Sequence, residues 1–403
     1  MLFDSCDLGG IAMRNRILRS ATHESLADAS GAPGPGHDRL YSAIARGGAG
    51  AIITGYAGVR QDGRSSLPGM LMMDDDRLVQ AYRKLTGSVH RNGAPLIMQL
   101  AHCGRQTRSK ITGMPTVAPS VMRDGIFNED LPVELSESGI LEIARSFADA
   151  AVRARNAGFD GVQLHMAHGY LLSQFLSGYG NRRTDRWGGS TENRFRIIRE
   201  IMRRIRSLLP HYPVLAKING FDQRPGGMRI PESVRIAQLL EASGCTAIEV
   251  SSGTVEEGLT IMRGPRIPAE ALLSCNFRFE SLPKPLRPLL AQAIRMALPK
   301  PKLLHGYNFE AAAAIRKAVS IPVIAVGGLH TLDDLLAPLM NGFSDFVSMS
   351  RPFIIEPDIV RILQDGRRDA SRCTMCNHCA IMIEAAPLRC WHGMLPGRYY
   401  RTE

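Results

Sequence analysis

The chain has 403 residues, 44% of them hydrophobic and 22% charged, with a formal net charge of +11. That is ordinary globular composition, and no apolar stretch reaches the roughly 20 residues that span a bilayer. The arginines are dispersed, with no basic run interleaved with aromatics, which argues against nucleic acid as a partner.

The opening "MLFDSCDLGGIAMRNRILRS" has no basic segment leading into an apolar one, so the expectation is a cytoplasmic protein without a secretory leader. From there, short apolar runs recur in chain order: "RILRSAT" (16–22), "GAIITGY" (50–56), "PLIMQLA" (95–101) and "GVQLHM" (161–166). They continue with "PVLAKIN" (213–219), "TAIEVS" (246–251), "IPVIAVGG" (321–328) and "DFVSMSR" (345–351). Amphipathic segments lie between them, clearest from Asp38, Ser136, Ser190 and Ile230. Ser190 with Asn193 suits a helix start, Pro231 a first turn, and Gly158 and Gly244 left-handed stops.

Near-continuous apolar strands alternating with helices predict a parallel sheet covered by helices, and eight such units predict an α/β fold, a (β/α)8 TIM barrel. The expected division is a barrel over 1–365 and a short cysteine-rich tail over 366–403. Insertions fall at 102–135 and 252–309, the second holding one helix bracketed by prolines in "PKPLRPLLAQAIRMALPKPK".

Sites in such barrels sit at the C-terminal strand ends. Those ends carry Ala21, Thr22 and His23; Gly55 and Tyr56; Gln99 and His102; His165 and His168; Lys217; Gly327 and Gly328; and Ser350 and Arg351. His165 and His168, three apart in a turn, can converge on a metal or offer two N–H donors to an anionic oxygen. A metal needs a third ligand, and the flanking strands offer Gln99 and Lys217 instead. Glu249, inside its strand, is the nearest carboxylate. Lys217 with Gln99 suits a planar heterocycle that gains negative charge, such as reduced flavin. The glycines after the seventh strand, with Ser350 and Arg351, suit a phosphate. The absence of a G-x-G-x-x-G after any strand favours a mononucleotide flavin over a tightly held dinucleotide.

The segment "HMAHGYLLSQFLSGYGNRRTDRWGGSTENRFRIIREI" strongly resembles the Old Yellow Enzyme family of flavin-dependent oxidoreductases. "MRNRILRSAT", "PLIMQLAHCGRQT" and "VAPS" resemble it too, and the match runs over about 1–360. The resemblance implies FMN at the barrel mouth. Gln99 and Lys217 would hold its pyrimidine edge. Ala21, Thr22 and Tyr56 would touch the ring, and Gly327, Gly328, Ser350 and Arg351 would take the phosphate. His165 and His168 would clamp the substrate carbonyl, and Tyr170 would protonate. The implied activity is NAD(P)H-driven reduction of an α,β-unsaturated carbonyl compound. Alternatives are oxidation of an amine or cyclic ketone and, from another class, metal-dependent hydrolysis. His23 departs from the Thr or Cys often placed beside the flavin.

Four of the eight cysteines are scattered (Cys6, Cys103, Cys245, Cys275). Cys373, Cys376, Cys379 and Cys390 have the spacing C-x2-C-x2-C-x10-C, which favours a [4Fe–4S] ligand set over zinc, with His378 and His392 as further candidate ligands. The multidomain branch of the family, including dienoyl-CoA reductases and trimethylamine dehydrogenase, has a similar set. The expected partners are a small-molecule substrate, NAD(P)H, a separate electron-transfer protein through the cysteines, and a second copy in a homo-oligomer. No membrane partner is expected.

Overall fold

The computed structural model describes residues 1–123, 130–258, 261–265, 268–276, 279, 281–297 and 305–394. Every expected strand forms within its apolar run: β1 Ile17–Arg19, β2 Ala51–Ile53, β3 Leu96–Ala101, β4 Gly161–Met166, β5 Val214–Asn219, β6 Ala247–Ser251, β7 Val323–Val326 and β8 Phe346–Met349. Each pairs in parallel with the next, and β8 returns to β1 with Val347 opposite Ile17 and Ser348 opposite Leu18. The sheet therefore closes into the (β/α)8 barrel.

The covering helices are α1 Pro35–Arg46, α2 Val79–Arg91, α3 Glu137–Asn156, α4 Arg196–Leu208, α5 Ile230–Ala242, α6 Phe309–Ala318, α7 Leu332–Met340 and α8 Ile359–Gln364. α1 starts three residues before Asp38 because Pro35, which has no N–H to satisfy, can open the first turn. Ser190 Oγ accepts the Asn193 N–H at 3.3 Å, but a single turn (Thr191–Arg194) precedes α4. Gly158 and Gly244 follow α3 and α5 at φ +86° and +83°, the left-handed stops expected there.

Side chains alternate along a strand, so every second residue faces the lumen. Leu18, Ile97, Leu215, Ala247 and Phe346 form one apolar lumen layer. It is closed from the N-terminal end by an antiparallel hairpin (Cys6–Asp7 with Ala12–Met13), whose Leu8, Ile11 and Met13 join the same cluster. Two residues further along the same strands come Ser20, Gln99, Lys217, Glu249 and Ser348, all buried. The barrel thus changes from an apolar plug to a polar floor in one step of the pleat.

The insertion after β3 contains a short parallel pair, Val117–Ala118 with Val133–Glu134. The insertion after β6 contains helices Ala269–Cys275 and Arg287–Ala297; the second is the expected proline-bracketed helix, whose closing prolines lie outside the described residues.

Residues 366–394 lie across the barrel mouth. Buried Glu356 anchors them: it accepts from Ser371 Oγ at 2.8 Å and from the Arg372 N–H at 2.7 Å, and it pairs with Arg368 and Arg372. Further on, the Leu388 N–H donates to the Glu24 carbonyl at 2.9 Å. Among the described residues no helix is long and apolar enough to cross a membrane.

Candidate active site

A cavity of about 810 Å³ opens at the C-terminal strand ends. Ala21, Thr22, Tyr56, Gln99, His165, His168, Tyr170, Lys217, Gly327, Gly328, Ser350 and Arg351 all line it, so the residues singled out at the strand ends and Tyr170 meet at one place. His23 lines it as well, stacked on Tyr56 at 5.0 Å with its Nε2 2.9 Å from the Pro68 carbonyl. Two other strand-end residues serve structure instead. His102 is buried against Asp62, 3.2 Å away, and the Gly55 N–H donates to Glu24, which pairs with Arg19 at 2.7 Å.

The floor is a connected polar network. Gln99 Nε2 donates to Gln163 Oε1 at 2.7 Å, and Gln163 Nε2 donates to Glu249 Oε2 at 2.9 Å. Ser20 and Ser348 each donate to Glu249 Oε1 at 2.7 Å. The Lys217 ammonium donates to Ser20 Oγ at 2.8 Å and stands 3.3 Å from Glu249 Oε2. Burial would raise the Glu249 carboxyl, but Lys217 and the hydroxyl and amide donors outweigh it and hold it below its ordinary value. A buried ammonium beside a fixed carboxylate is costly to assemble but well positioned. Glu249 and Gln163 therefore hold Gln99 and Lys217 in place, a role the sequence pattern did not reveal. The one available signal was a polar residue inside an apolar run, in the case of Glu249 two residues beyond the apolar layer.

His165 and His168 meet edge to face, with ring centres 5.1 Å apart, and Tyr170 lies 4.8 Å from His165 and 5.3 Å from Tyr56. His165 is buried and its Nδ1 has no hydrogen-bond partner in the protein. His168 sits at φ +64°, an uncommon conformation for a non-glycine residue. It is held there by its N–H to Asn219 Oδ1 at 3.2 Å and by Nε2 against Ser251 Oγ at 2.8 Å. Asn219 is itself fixed by donating to Asp222 Oδ1 at 2.7 Å and to the Gly253 carbonyl at 2.9 Å. Burial first, then Lys217 for His165 and the adjoining His165 and Lys217 for His168, hold both imidazoles well below their ordinary pKa, which favours their neutral forms. Burial likewise pushes the Tyr170 phenol well above its ordinary value and keeps it protonated.

At the opposite corner Gly327 and Gly328 take φ +122° and +75°. A Cβ on Gly327 would stand 2.7 Å from Asn308 and Tyr307, so only glycine leaves the backbone bare there. Ser350 Oγ lies 2.7 Å from Thr22 Oγ1. Arg351 faces the cavity but also reaches the tail, donating to Asn377 Oδ1 at 2.6 Å and to the Arg263 carbonyl at 3.0 Å. Arg263, which sequence reasoning passed over, lines the cavity too. Its guanidinium lies 4.7 Å from the Tyr307 ring centre, and its Nε lacks a partner.

Cys373, Cys376, Cys379 and Cys390 line one small cavity with Arg351, Asn377 and His392, and none is in a disulfide. Cys379 and Arg351 line both cavities, so the cysteines adjoin the barrel site. Although burial acts to raise the Cys376 thiol, hydrogen bonds with His378 and His392 bring it down to about 6.

Fold and site together define a barrel oxidoreductase with a flavin-sized cavity and a cysteine tail seated against it. A profile of the NADH:flavin oxidoreductase / NADH oxidase family matches residues 1–257, and the chain belongs to that family, the Old Yellow Enzyme family. It is 33% identical over 405 residues to a metal reductase of Desulforamulus reducens, covering 99% of this chain and 54% of the relative. An NADH oxidase of Thermoanaerobacter brockii is 33% identical over 98% of this chain and 56% of its own length. The chain thus spans about half the length of these two relatives. A 4,4'-dithiodibutanoate disulfide reductase of Rhodococcus erythropolis is 30% identical over 94% of this chain and 92% of the relative. The solved 2-naphthoyl-CoA reductase complex shares the fold at TM-score 0.80 and 23% identity, over 96% of this chain and 56% of that one.

The hydrolase alternative gains nothing from this site. Among the described residues, the group bringing three metal-ligand atoms within 4.8 Å of one another is His305, His330 and Asp334, and it does not include His165 or His168.

Proposed function

We propose that the chain is an FMN-dependent oxidoreductase that reduces the activated C=C bond of an α,β-unsaturated carbonyl compound, with NAD(P)H as hydride source. The observation that carries this reading is the meeting of His165, His168 and Tyr170 in the cavity that also holds Gln99 and Lys217. The donors present fit FMN: an amide and an ammonium on the floor, bare glycine backbone with a hydroxyl and guanidinium at one corner, and a volume near 810 Å³ that leaves room for a second ligand. Bound there, FMN supplies hydride transfer between NAD(P)H and that second ligand.

The chain's own residues do the rest. Gln99 and Lys217 hold the pyrimidine edge, and Lys217 favours negative charge on it. Ala21, Thr22 and Tyr56 position the ring, while Gly327, Gly328, Ser350 and Arg351 hold the phosphate. His165 and His168, both neutral, donate N–H groups to the substrate carbonyl oxygen and stabilise charge developing there. That both imidazoles line the cavity supports that role. Tyr170, protonated at neutral pH, gives its proton to the α-carbon.

The cysteine tail is proposed to hold a [4Fe–4S] cluster that exchanges electrons with a separate protein. The four cysteines line one small cavity and none is in a disulfide, which supports a shared ligand set.

A second reading has a specific observation behind it. The Rhodococcus disulfide reductase matches this chain over nearly the full length of both, so reduction of a disulfide is the competing activity. The test is to purify the protein without oxygen, release its chromophore with acid, and count FMN, iron and sulfide per chain. One FMN with four iron and four sulfide supports the assignment. Protein that holds no flavin and refuses added FMN would overturn it. Comparing turnover of an enone with that of an aliphatic disulfide then separates the two activities.

A further inference from the structure

We infer that the chain carries a second ligand site, outside the proposed flavin cavity and the cysteine set: a divalent transition-metal site formed by His305, His330 and Asp334. His305 lies near the end of the insertion after β6, His330 follows the glycine pair after β7, and Asp334 lies in the first turn of α7. Their ligand atoms all stand within 4.8 Å of one another. Asp334 Oδ1 is 2.8 Å from His305 Nδ1, and Oδ2 is 3.2 Å from His330 Nδ1. The two imidazoles lie side by side, with centres 4.9 Å apart and planes 29° apart.

The alternative is a helix cap with two attached histidines. The Asp334 carboxylate does cap α7, accepting the N–H groups of His330 at 3.0 Å and Thr331 at 2.9 Å. Those bonds use the backbone and fix the carboxylate, whose Oδ1 also accepts a hydrogen bond from His305 Nδ1 at 2.8 Å. His330 Nδ1 is buried and stands 3.2 Å from Asp334 Oδ2, outside ordinary hydrogen-bond geometry. Two imidazole nitrogens set against the two oxygens of one carboxylate are a ligand set that a cation can take over by displacing the N–H protons.

The spacing agrees. Bonds of about 2.0–2.2 Å at tetrahedral or octahedral angles put neighbouring ligand atoms about 2.9–3.5 Å apart. The observed 2.8 and 3.2 Å fall close to that range. Two imidazoles with one carboxylate suit Zn2+, Co2+ or Ni2+, whereas Ca2+ and Mg2+ prefer oxygen alone.

Occupancy would tie together three segments that border the proposed active site. Tyr307 and Asn308, just after His305, press on Gly327. Leu329, beside His330, lines the cavity. The His330 carbonyl accepts the Ser371 N–H at 2.8 Å, at the root of the tail. The ion is therefore structural, clamping the glycine corner to the cysteine segment.

The test compares the whole chain with His305→Ala and His330→Gln after chelator treatment and gel filtration. Zn2+ is titrated in and counted by native mass spectrometry, with thermal midpoints recorded alongside. The wild type is expected to bind one more Zn2+ per chain than either variant, with at least tenfold tighter binding of that ion and a midpoint rise that the variants lack. His305 is half exposed, so its replacement leaves the fold intact even if the His330 variant does not fold. Equal Zn2+ counts and equal midpoint shifts in wild type and His305→Ala would overturn the site, as would a wild type that binds no Zn2+ beyond its cysteines.

Discussion

At the scale of single residues, the chemistry rests on groups whose protonation is set by burial. Tyr170 stays protonated, so its replacement by Phe removes the proposed donor without altering the cavity wall. Tyr170→Phe is expected to leave reduction by NAD(P)H unchanged and to slow enone turnover about 100-fold, in the range typical of a lost general acid. Equal enone turnover in the two proteins would remove Tyr170 from that role. The imidazoles predict a pH effect as well. Their folded pKa values lie below the ordinary value of about 6.5, so below that pH the unfolded chain binds more protons than the folded one. The stability they permit is intact above about pH 6.5 and is lost as pH falls towards the folded values. His165→Gln should therefore lose less stability than wild type between pH 7.5 and pH 5, read from urea midpoints. An equal loss would mean that His165 is not held neutral.

At the scale of elements, β5 and β6 place Lys217 directly opposite Glu249 in the ladder, with His165 on the other side of Lys217. Lys217→Met strands a buried carboxylate and is expected to destabilise the protein by about 3–5 kcal/mol. Adding Glu249→Gln removes the stranded charge and should recover most of that loss, as a denaturation series would measure. Failure to recover would place the cost in packing instead. The eight strands were legible because buried parallel strands read as apolar runs between helical segments. Most site residues were legible for a related reason, since strand ends in a barrel converge. Glu249 and Gln163 were less so: a polar residue inside an apolar run gains meaning only when its partner across the lumen is known. His102 shows the reverse, because a strand-end histidine next to a buried aspartate looks the same in sequence as one facing a ligand. The hold on His168 was illegible too, since Asn219 and Ser251 come from strands β5 and β6, 51 and 83 residues away.

At the scale of the whole molecule, the barrel and the cysteine segment share one wall. Arg351 spans it, facing the flavin-sized cavity while bonding Asn377 in the tail. The cysteine spacing announced a ligand set, but only the folded chain brings Cys379 to the cavity, because the anchoring on Glu356 and the return to Glu24 depend on contacts distant in sequence. The proposed function requires this cavity to couple NAD(P)H to an activated double bond. The most direct test is an anaerobic titration of the purified protein, following flavin absorbance. NAD(P)H is expected to bleach the flavin band, and an α,β-unsaturated ketone then to restore it, with the saturated ketone as product. A band that NAD(P)H leaves unchanged, or that bleaches and does not return with the enone, would contradict it.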